Sequence, residues 1–254
     1  MWDKFVESSQ QGTVFSTTKW LNLFDIPYKI IEHEWGGIVG FLTPEFTSGY
    51  ILTPFQGVLV KNIDGYKECK KLSIYSKLSN YIIDEVPKGT IYNHYTFSDI
   101  RSFIWRGWKP DIKYTFVVRP DWDKLEKQTR YEISRYDLPI EHGDVEKLNF
   151  LYTETFKRKG MKRPVSEKFV ERLCEEMNTE VYTTENSAAC LIKDNKRSYY
   201  ILGASDGTGE SSYCLWNAIK DLKEVDLVGC NDEKIAHFKK GFGGKLVPYY
   251  GVSL

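Results

Sequence analysis

The 254-residue sequence contains no apolar run approaching the ~20 residues needed to span a bilayer. Its start, Met1-Trp2-Asp3-Lys4-Phe5, has neither the basic nor the apolar region of a signal peptide, so the expectation is a cytoplasmic protein without a membrane span. Net charge is missing as well. Thirty-five basic and thirty-five acidic residues cancel, so no global field recruits DNA or an anionic membrane, although local patches remain open. The five cysteines, Cys69, Cys174, Cys190, Cys214 and Cys230, form no C-x-x-C pair and have no histidine at ligand spacing. This argues against a zinc site or any other metal and leaves buried thiols as the expectation. The four histidines show no partner spacing, and no Ser-His-Asp or Cys-His constellation can be assembled. Repeats, low-complexity stretches and Pro/Ser-rich linkers are also absent, so any two domains must share a continuous boundary. Nothing signals an oligomeric state.

What the chain does have is 41% hydrophobic and 28% charged residues, an ordinary globular balance, and aromatics at 15%. Its length suits one large domain or two of roughly 120 residues. Aromatic richness fits a groove holding a polar substrate and fits an aromatic core equally well. The second half has the clearer periodicity. Asp144 caps a predicted helix from Val145 to Lys159, with Leu148, Leu151, Tyr152 and Phe156 inward and Gly160 closing it. A second helix follows Pro164 and Ser166, burying Phe169, Val170, Leu173, Cys174 and Met177. Strands are expected at Glu180 to Thr184, Ala188 to Lys193 and Ser198 to Leu202, the last two joined by a hairpin at Asp194-Asn195. A Gly-rich loop at Gly203 to Gly209 leads to a helix from Ser211 to Leu222. A strand at Val225 to Val228, a helix over 232–240 and a strand near Lys245 to Tyr250 complete the order. Asn231 reads as N-cap of that last helix, and Gly241 as its left-handed stop.

The first half reads as a rougher version of the same order. Short helices are expected around Trp2 to Ser8 and Thr18 to Phe24, with strands near Tyr28 to Glu34 and Gly37 to Leu42. A loop at Thr53 to Gly57 leads to an amphipathic helix from about Ile63 to Leu78, presenting Tyr66, Cys69, Leu72 and Tyr75 on one face. Strands at Thr90 to Thr96 and Tyr114 to Val118 and a helix from Asp121 to Arg135 follow. An antiparallel meander handing over to a βα crossover predicts an α/β chain with a mixed sheet.

The stretch closest to chemistry is His237-Phe238-Lys239-Lys240-Gly241-Phe242-Gly243-Gly244. Its Phe-Lys-x-Gly-Phe-Gly spacing, followed by Lys245-Leu246-Val247-Pro248-Tyr249-Tyr250, resembles the C-terminal signature of the Fem-type (FemAB-like) peptidoglycan bridge-forming aminoacyltransferases and their wider GNAT-like relatives. Three further segments carry the likeness across most of the chain: Gly12 to Trp20, Phe103-x-Trp105-x-Gly107-Trp108 with Tyr114 to Val118, and Arg130-x-x-Ile133-x-Arg135. The chain departs from that pattern in its shortness, in having no long charged helical arm, and in Tyr136, where the family carries Ala.

The resemblance implies two tandem GNAT-like domains, over residues 1–120 and 121–254. It implies an acyltransferase that moves an acyl or aminoacyl group from an activated donor to an amine of a cell-envelope precursor, such as an amino sugar or a stem peptide. Carried onto this chain, it places Phe238 and Lys239 in the reaction cleft, with Lys239 stabilising negative charge on the donor or the developing oxyanion. Lys239 and Lys240 also read as cations complementing a helix C-terminus. Acyl-CoA is the expected donor, since neutral charge and the missing arm give little with which to grip RNA; an aminoacyl-tRNA donor is the alternative, as is a catalytically silent binding module.

Gly207, Thr208, Gly209, Ser211 and Ser212 lie between a strand and a helix, where amides and hydroxyls form an anion nest for a donor phosphate, with Asn231 at the next helix entrance. Asp206 and Glu210 in that loop oppose it, and a capped turn explains the segment equally well. Arg130 and Arg135 suit the phosphate or carboxylate of an acceptor, or simply a solvated helix face. Trp105, Trp108 and Tyr114 suit stacking on an acceptor sugar or peptide, or plain packing. His237, beside Phe238, is a candidate proton acceptor.

Overall fold

The computed structural model describes residues 1–254 and divides the chain into two compact units, Met1–Tyr114 with Pro248–Leu254, and Thr115–Val247. The last seven residues therefore return to the first unit.

In the first unit, α1 (Trp2–Ser8) and α2 (Thr18–Leu21) precede β1 (Tyr28–His33), β2 (Gly36–Leu42), β3 (Phe46–Ser48) and β4 (Leu59–Val60). The long α3 (Glu68–Glu85), β5 (Gly89–Tyr92), α4 (Arg101–Trp105) and the first part of β6 (Lys109–Val118) follow. β2 pairs antiparallel with β1, β3 and β4, and β5 runs parallel to β3, which makes the sheet mixed. The returning residues Gly251–Ser253 pair antiparallel with β5. α2 begins where Thr17 accepts a hydrogen bond from the Trp20 amide, and Trp20 is fully buried against Phe15.

α3 differs from the sequence expectation in both limits and face. Residues 63–67 form a turn in which the Asp64 amide donates to Asn62 and the Tyr66 amide to the Ile63 carbonyl, so the helix begins five residues later than expected. Its buried stripe is then Ile74, Leu78, Ile82 and Ile83, while Tyr66, Cys69 and Leu72 face solvent. Two substitutions test this register. Leu78→Ala, at a fully buried position, is expected to cost about 2–5 kcal/mol by urea denaturation, and Leu72→Ala to stay within about 0.5 kcal/mol of the parent.

In the second unit, α5 (Lys127–Ser134) follows a separate 3-10 turn, Trp122–Lys124, rather than continuing one helix from Asp121 to Arg135. The Asp121 side chain caps that turn at the Asp123 amide. Then come β7 (Glu141–His142), α6 (Val145–Arg158), α7 (Glu167–Glu176), β8 (Thr179–Thr183), β9 (Ser187–Lys193), β10 (Ser198–Ser205), α8 (Ser211–Ile219), β11 (Val225–Asp226), α9 (Glu233–Lys240) and the first three residues of β12 (Lys245–Ser253). Asp144 caps α6 as expected, accepting from the Lys147 amide at 2.8 Å, and Ser166 caps α7, accepting from the Phe169 amide at 3.1 Å.

Strand order in this unit is β6-β11-β10-β9-β8-β7, with β10 and β11 parallel and the other neighbours antiparallel. Residues 187–192 of β9 are all buried, because α8 covers one face of the strand through Ala189 and Leu191 while α6 packs on β9 and β10. The thiols are not uniformly buried: Cys190, Cys214 and Cys230 are, Cys174 is partly exposed and Cys69 exposed. No helix is long and apolar enough to cross a membrane, and no cluster of three His, Cys, Asp or Glu side chains is placed to hold a metal ion.

Candidate active site

β10 and β11 hydrogen-bond over two residue pairs only, Ser198↔Val225 and Tyr199↔Asp226. Beyond them the strands part. β10 continues to Ser205, so its edge from Tyr200 onward has no strand partner on the β11 side. Two local features cause the parting. A β-bulge between Tyr200 and Leu202 inserts one extra residue opposite β9 and re-aims the strand. On the other side β11 ends at Asp226, and Val228 and Gly229 both take left-handed backbone conformations, φ 50° and 49°, that turn the chain away.

The wedge between them is a cavity of about 240 Å³. β10 supplies Tyr200 and the backbone of Gly203, Ala204 and Ser205; α6 supplies Thr155 and Arg158; α9 supplies Ile235, Phe238 and Lys239. Lys159 and Ser211 complete the lining. The segment from Gly203 that reads in sequence as the start of a loop is still strand through Ser205. A Cβ on residue 203 would sit 1.9 Å from the Tyr200 hydroxyl oxygen, so glycine leaves room there for the phenol. The far end is pinned by the Thr155 hydroxyl, which accepts from the Ser205 amide at 2.8 Å, and by Arg158, which donates to the Ser205 carbonyl at 3.2 Å.

Arg158, Lys159 and Lys239 line the cavity with three cations and none has a carboxylate partner, nor does any Asp or Glu line the wall. The cavity is therefore a positive site in a chain of zero net charge. Lys239 is 8% exposed, and its ammonium donates to the Val228 and Gly229 carbonyls, the second at 2.9 Å. An ammonium has three N–H groups; two are spent here, and the third has no acceptor within the protein. Burial pushes the Lys239 pKa down to about 8 against the attraction of Asp226 and Cys230. The ammonium also lies 5.6 Å from the centre of the Tyr200 ring, whose phenol burial holds well above its ordinary pKa and hence protonated.

Three of the residues singled out in the sequence, Phe238, Lys239 and Ser211, thus meet in one cavity. Phe238 is a wall, stacked edge-on against Phe242 at 5.4 Å. The rest of the Gly-rich segment is engaged elsewhere. The Thr208 amide and hydroxyl both donate to Asp206, the Thr208 carbonyl accepts from Tyr136, Gly207 lies against the Arg158 guanidinium and Gly209 faces the Tyr136 hydroxyl. Ser212 donates to Glu132 at 2.8 Å, and Glu210 binds the amide and side chain of Asn186. Arg130 reaches the Asp123 carbonyl, and Arg135 lies over the Tyr131 and Tyr136 rings. Trp105, 70% exposed beneath Arg101, and Tyr114 belong to the first unit, as does Trp108, which is buried against Phe103 and unavailable for stacking, and none of the three lines this cavity.

His237 is exposed and outside the lining. Asn231 is exposed one position before the true cap, because the Asp232 carboxylate takes the Ile235 amide. Gly241 is right-handed with φ −56°, and the left-handed residue that ends the motif is Gly243, φ 70°. A Cβ on residue 243 would come 2.3 Å from the Lys124 carbonyl oxygen.

Strands splayed at a bulge, with a helix at each side of the opening, place this cavity in a chain of mixed α/β fold. No family profile matches the chain, and no curated protein matches it significantly in sequence. Among solved structures it is similar to FemX, with a TM-score of 0.65 at 13% identity over 98% of this chain and 94% of that one. It is also similar to a conserved protein of unknown function from Bacteroides thetaiotaomicron, TM-score 0.62 at 10% identity over 99% and 94% of the two chains. L-PGS from Bacillus licheniformis follows with a TM-score of 0.57 at 10% identity over 99% and 90%. The Fem-like likeness found in sequence motifs is thus present in the fold.

Proposed function

We propose that the protein is an N-acyltransferase that takes an activated acyl group, carried as an acyl-CoA thioester, into the β10–β11 wedge and passes it to a primary amine. The observation that carries this reading is the unpaired edge of β10 beside the unspent N–H of Lys239. A pantetheine arm has two amides and can lie along such an edge as a further strand would. Its phosphates suit Arg158 and Lys159, which no carboxylate neutralises. The thioester carbonyl then comes to the Lys239 ammonium, which stabilises the oxygen as the amine attacks and the carbon becomes tetrahedral. Collapse forms the amide and releases the thiol, with no covalent enzyme intermediate required. The sequence likeness to Fem-type enzymes directs the acceptor amine to a cell-envelope precursor, an amino sugar or a stem peptide, and leaves an aminoacyl ester of tRNA as the rival donor.

Calorimetric titration with acetyl-CoA and free CoA at two salt concentrations tests the donor. Saturable binding that survives moderate salt is expected, and Arg158→Ala should weaken it by about tenfold through loss of one charge-assisted contact. Absence of CoA binding would overturn the thioester donor; binding of aminoacyl-tRNA with a steep salt dependence would then put that ester in its place.

A further inference from the structure

Asp226 is fully buried at the end of β11, and no sequence signal marks it. One carboxylate oxygen accepts from the Thr115 hydroxyl on β6 and from the Val228 amide at 2.8 Å; the other is buried without a partner. The Val228 contact closes a turn over residues 226–228. Val228 is one of four non-glycine residues with positive φ, and as a β-branched residue it occupies that region at a cost of about 1–3 kcal/mol. Something must hold it there. The residues so held, Val228 and Gly229, are the two whose carbonyls receive the Lys239 ammonium.

We propose that Asp226 is the positioning residue of this site: anchored by Thr115, it fixes the left-handed pair Val228–Gly229 and through their carbonyls sets where the Lys239 ammonium stands in the cavity wall. The functional weight of that placement rests on the acyl-transfer reading above, although the placement itself does not. By ending β11, the same turn also opens the wedge, so one carboxylate organises both the space and the cation in it.

The charged and titratable groups facing the two residues are few. Around Lys239 they are Asp226 on β11, the Cys230 thiol after it, Tyr200 on β10, and Arg158 and Lys159 across the cavity. Around Asp226 they are Lys239 on α9, Tyr199 on β10 and Arg197 at the β9–β10 turn. Asp226 is thus the carboxylate acting on Lys239, and burial is what it opposes.

Competitive labelling of the full-length protein with isotopic acetic anhydride, read peptide by peptide by mass spectrometry across pH 6 to 11, follows Lys239 without any substrate. In Asp226→Asn an oxygen is retained for the Val228 amide but the charge is lost, so the Lys239 titration midpoint should fall by about one pH unit while the residue stays protected. In Asp226→Ala the turn is released as well, so the labelling rate of Lys239 should rise by about tenfold or more, relative to surface lysines in the same digest. A Lys239 midpoint and rate equal to wild type in both variants would overturn the proposal. Should Asp226→Ala not fold, the Asp226→Asn midpoint decides alone, and an unmoved value overturns the role. Because no donor or acceptor is present, failure of the acyltransferase reading would show in the calorimetry and leave this result standing.

Discussion

Lys239→Met is expected to lower kcat for acyl transfer by roughly 10²–10³ while CoA affinity changes by only a few fold, the pattern for loss of a donor that acts on developing charge. The substitution keeps an unbranched side chain of similar bulk beside Phe238 and Tyr200 and removes the N–H that the Val228 and Gly229 carbonyls leave unspent. Steady-state kinetics with a saturating amine acceptor, together with calorimetry on the same preparation, separates the two quantities. Equal loss of binding and turnover would make Lys239 a donor-binding cation only, and unchanged turnover would remove it from the chemistry. The pH profile carries a second check. Lys239 acts as the ammonium, and with a pKa near 8 that form disappears on the alkaline side. The wild-type kcat should therefore decline above about pH 8, far below where an ordinary lysine would deprotonate. In Lys239→Met the residual activity should lose that alkaline limb.

Much of this site was legible in sequence, but only where local rules decide structure. The Asp144 cap formed as expected and the helix after Ser166 began where expected, because a carboxylate or hydroxyl at an N-cap answers to the amide three residues on and to little else. Lys239 stood out through its neighbours in the Phe-Lys-x-Gly-Phe-Gly spacing, although its own position in the last turn of α9 equally suits a cation serving the helix dipole. Arg158 and Lys159 gave no such signal. They too sit at a helix C-terminus, and only the approach of α6 to the edge of β10 turns them toward a cavity. Asp226 was passed over, since Val225 to Val228 reads as a short buried strand despite its one carboxylate, and the left-handed turn at Val228 contradicts every local preference of valine. The α3 register failed for a related reason. The stripe of Tyr66, Cys69, Leu72 and Tyr75 is a plausible helical face, yet the Ile74–Leu78–Ile82 stripe has the larger apolar area to bury, and tertiary packing chose it.

Buried Asp226 and Lys239 should each also be visible as a pH-dependent cost in stability. Burial raises the Asp226 pKa from 3.8 to about 6, outweighing the opposing Thr115 and Val228 hydrogen bonds and the Arg197 and Lys239 charges. Between about pH 4 and 6 the native state keeps a proton that the unfolded state has lost, so stability falls as pH rises through that window. Two pKa units correspond to about 3 kcal/mol, fully felt above pH 6. Lys239 works in the opposite direction. Its native pKa is lowered from 10.5 to about 8, so its penalty is present below 8 and is relieved as pH rises toward 10.5. Asp226→Asn deletes the first limb, and the loss of its attraction for Lys239 returns part of that gain. Urea denaturation of wild type and Asp226→Asn at pH 4 and pH 7 should therefore show the variant gaining about 1–2 kcal/mol relative to wild type between the two pH values. A difference that does not change with pH would mean that Asp226 is not paying this desolvation cost. A gain in stability coupled to a shifted Lys239 would mean that the fold sacrifices stability at β11 to keep an ammonium at the mouth of the wedge, the trade expected where a buried charge is retained for chemistry rather than for folding.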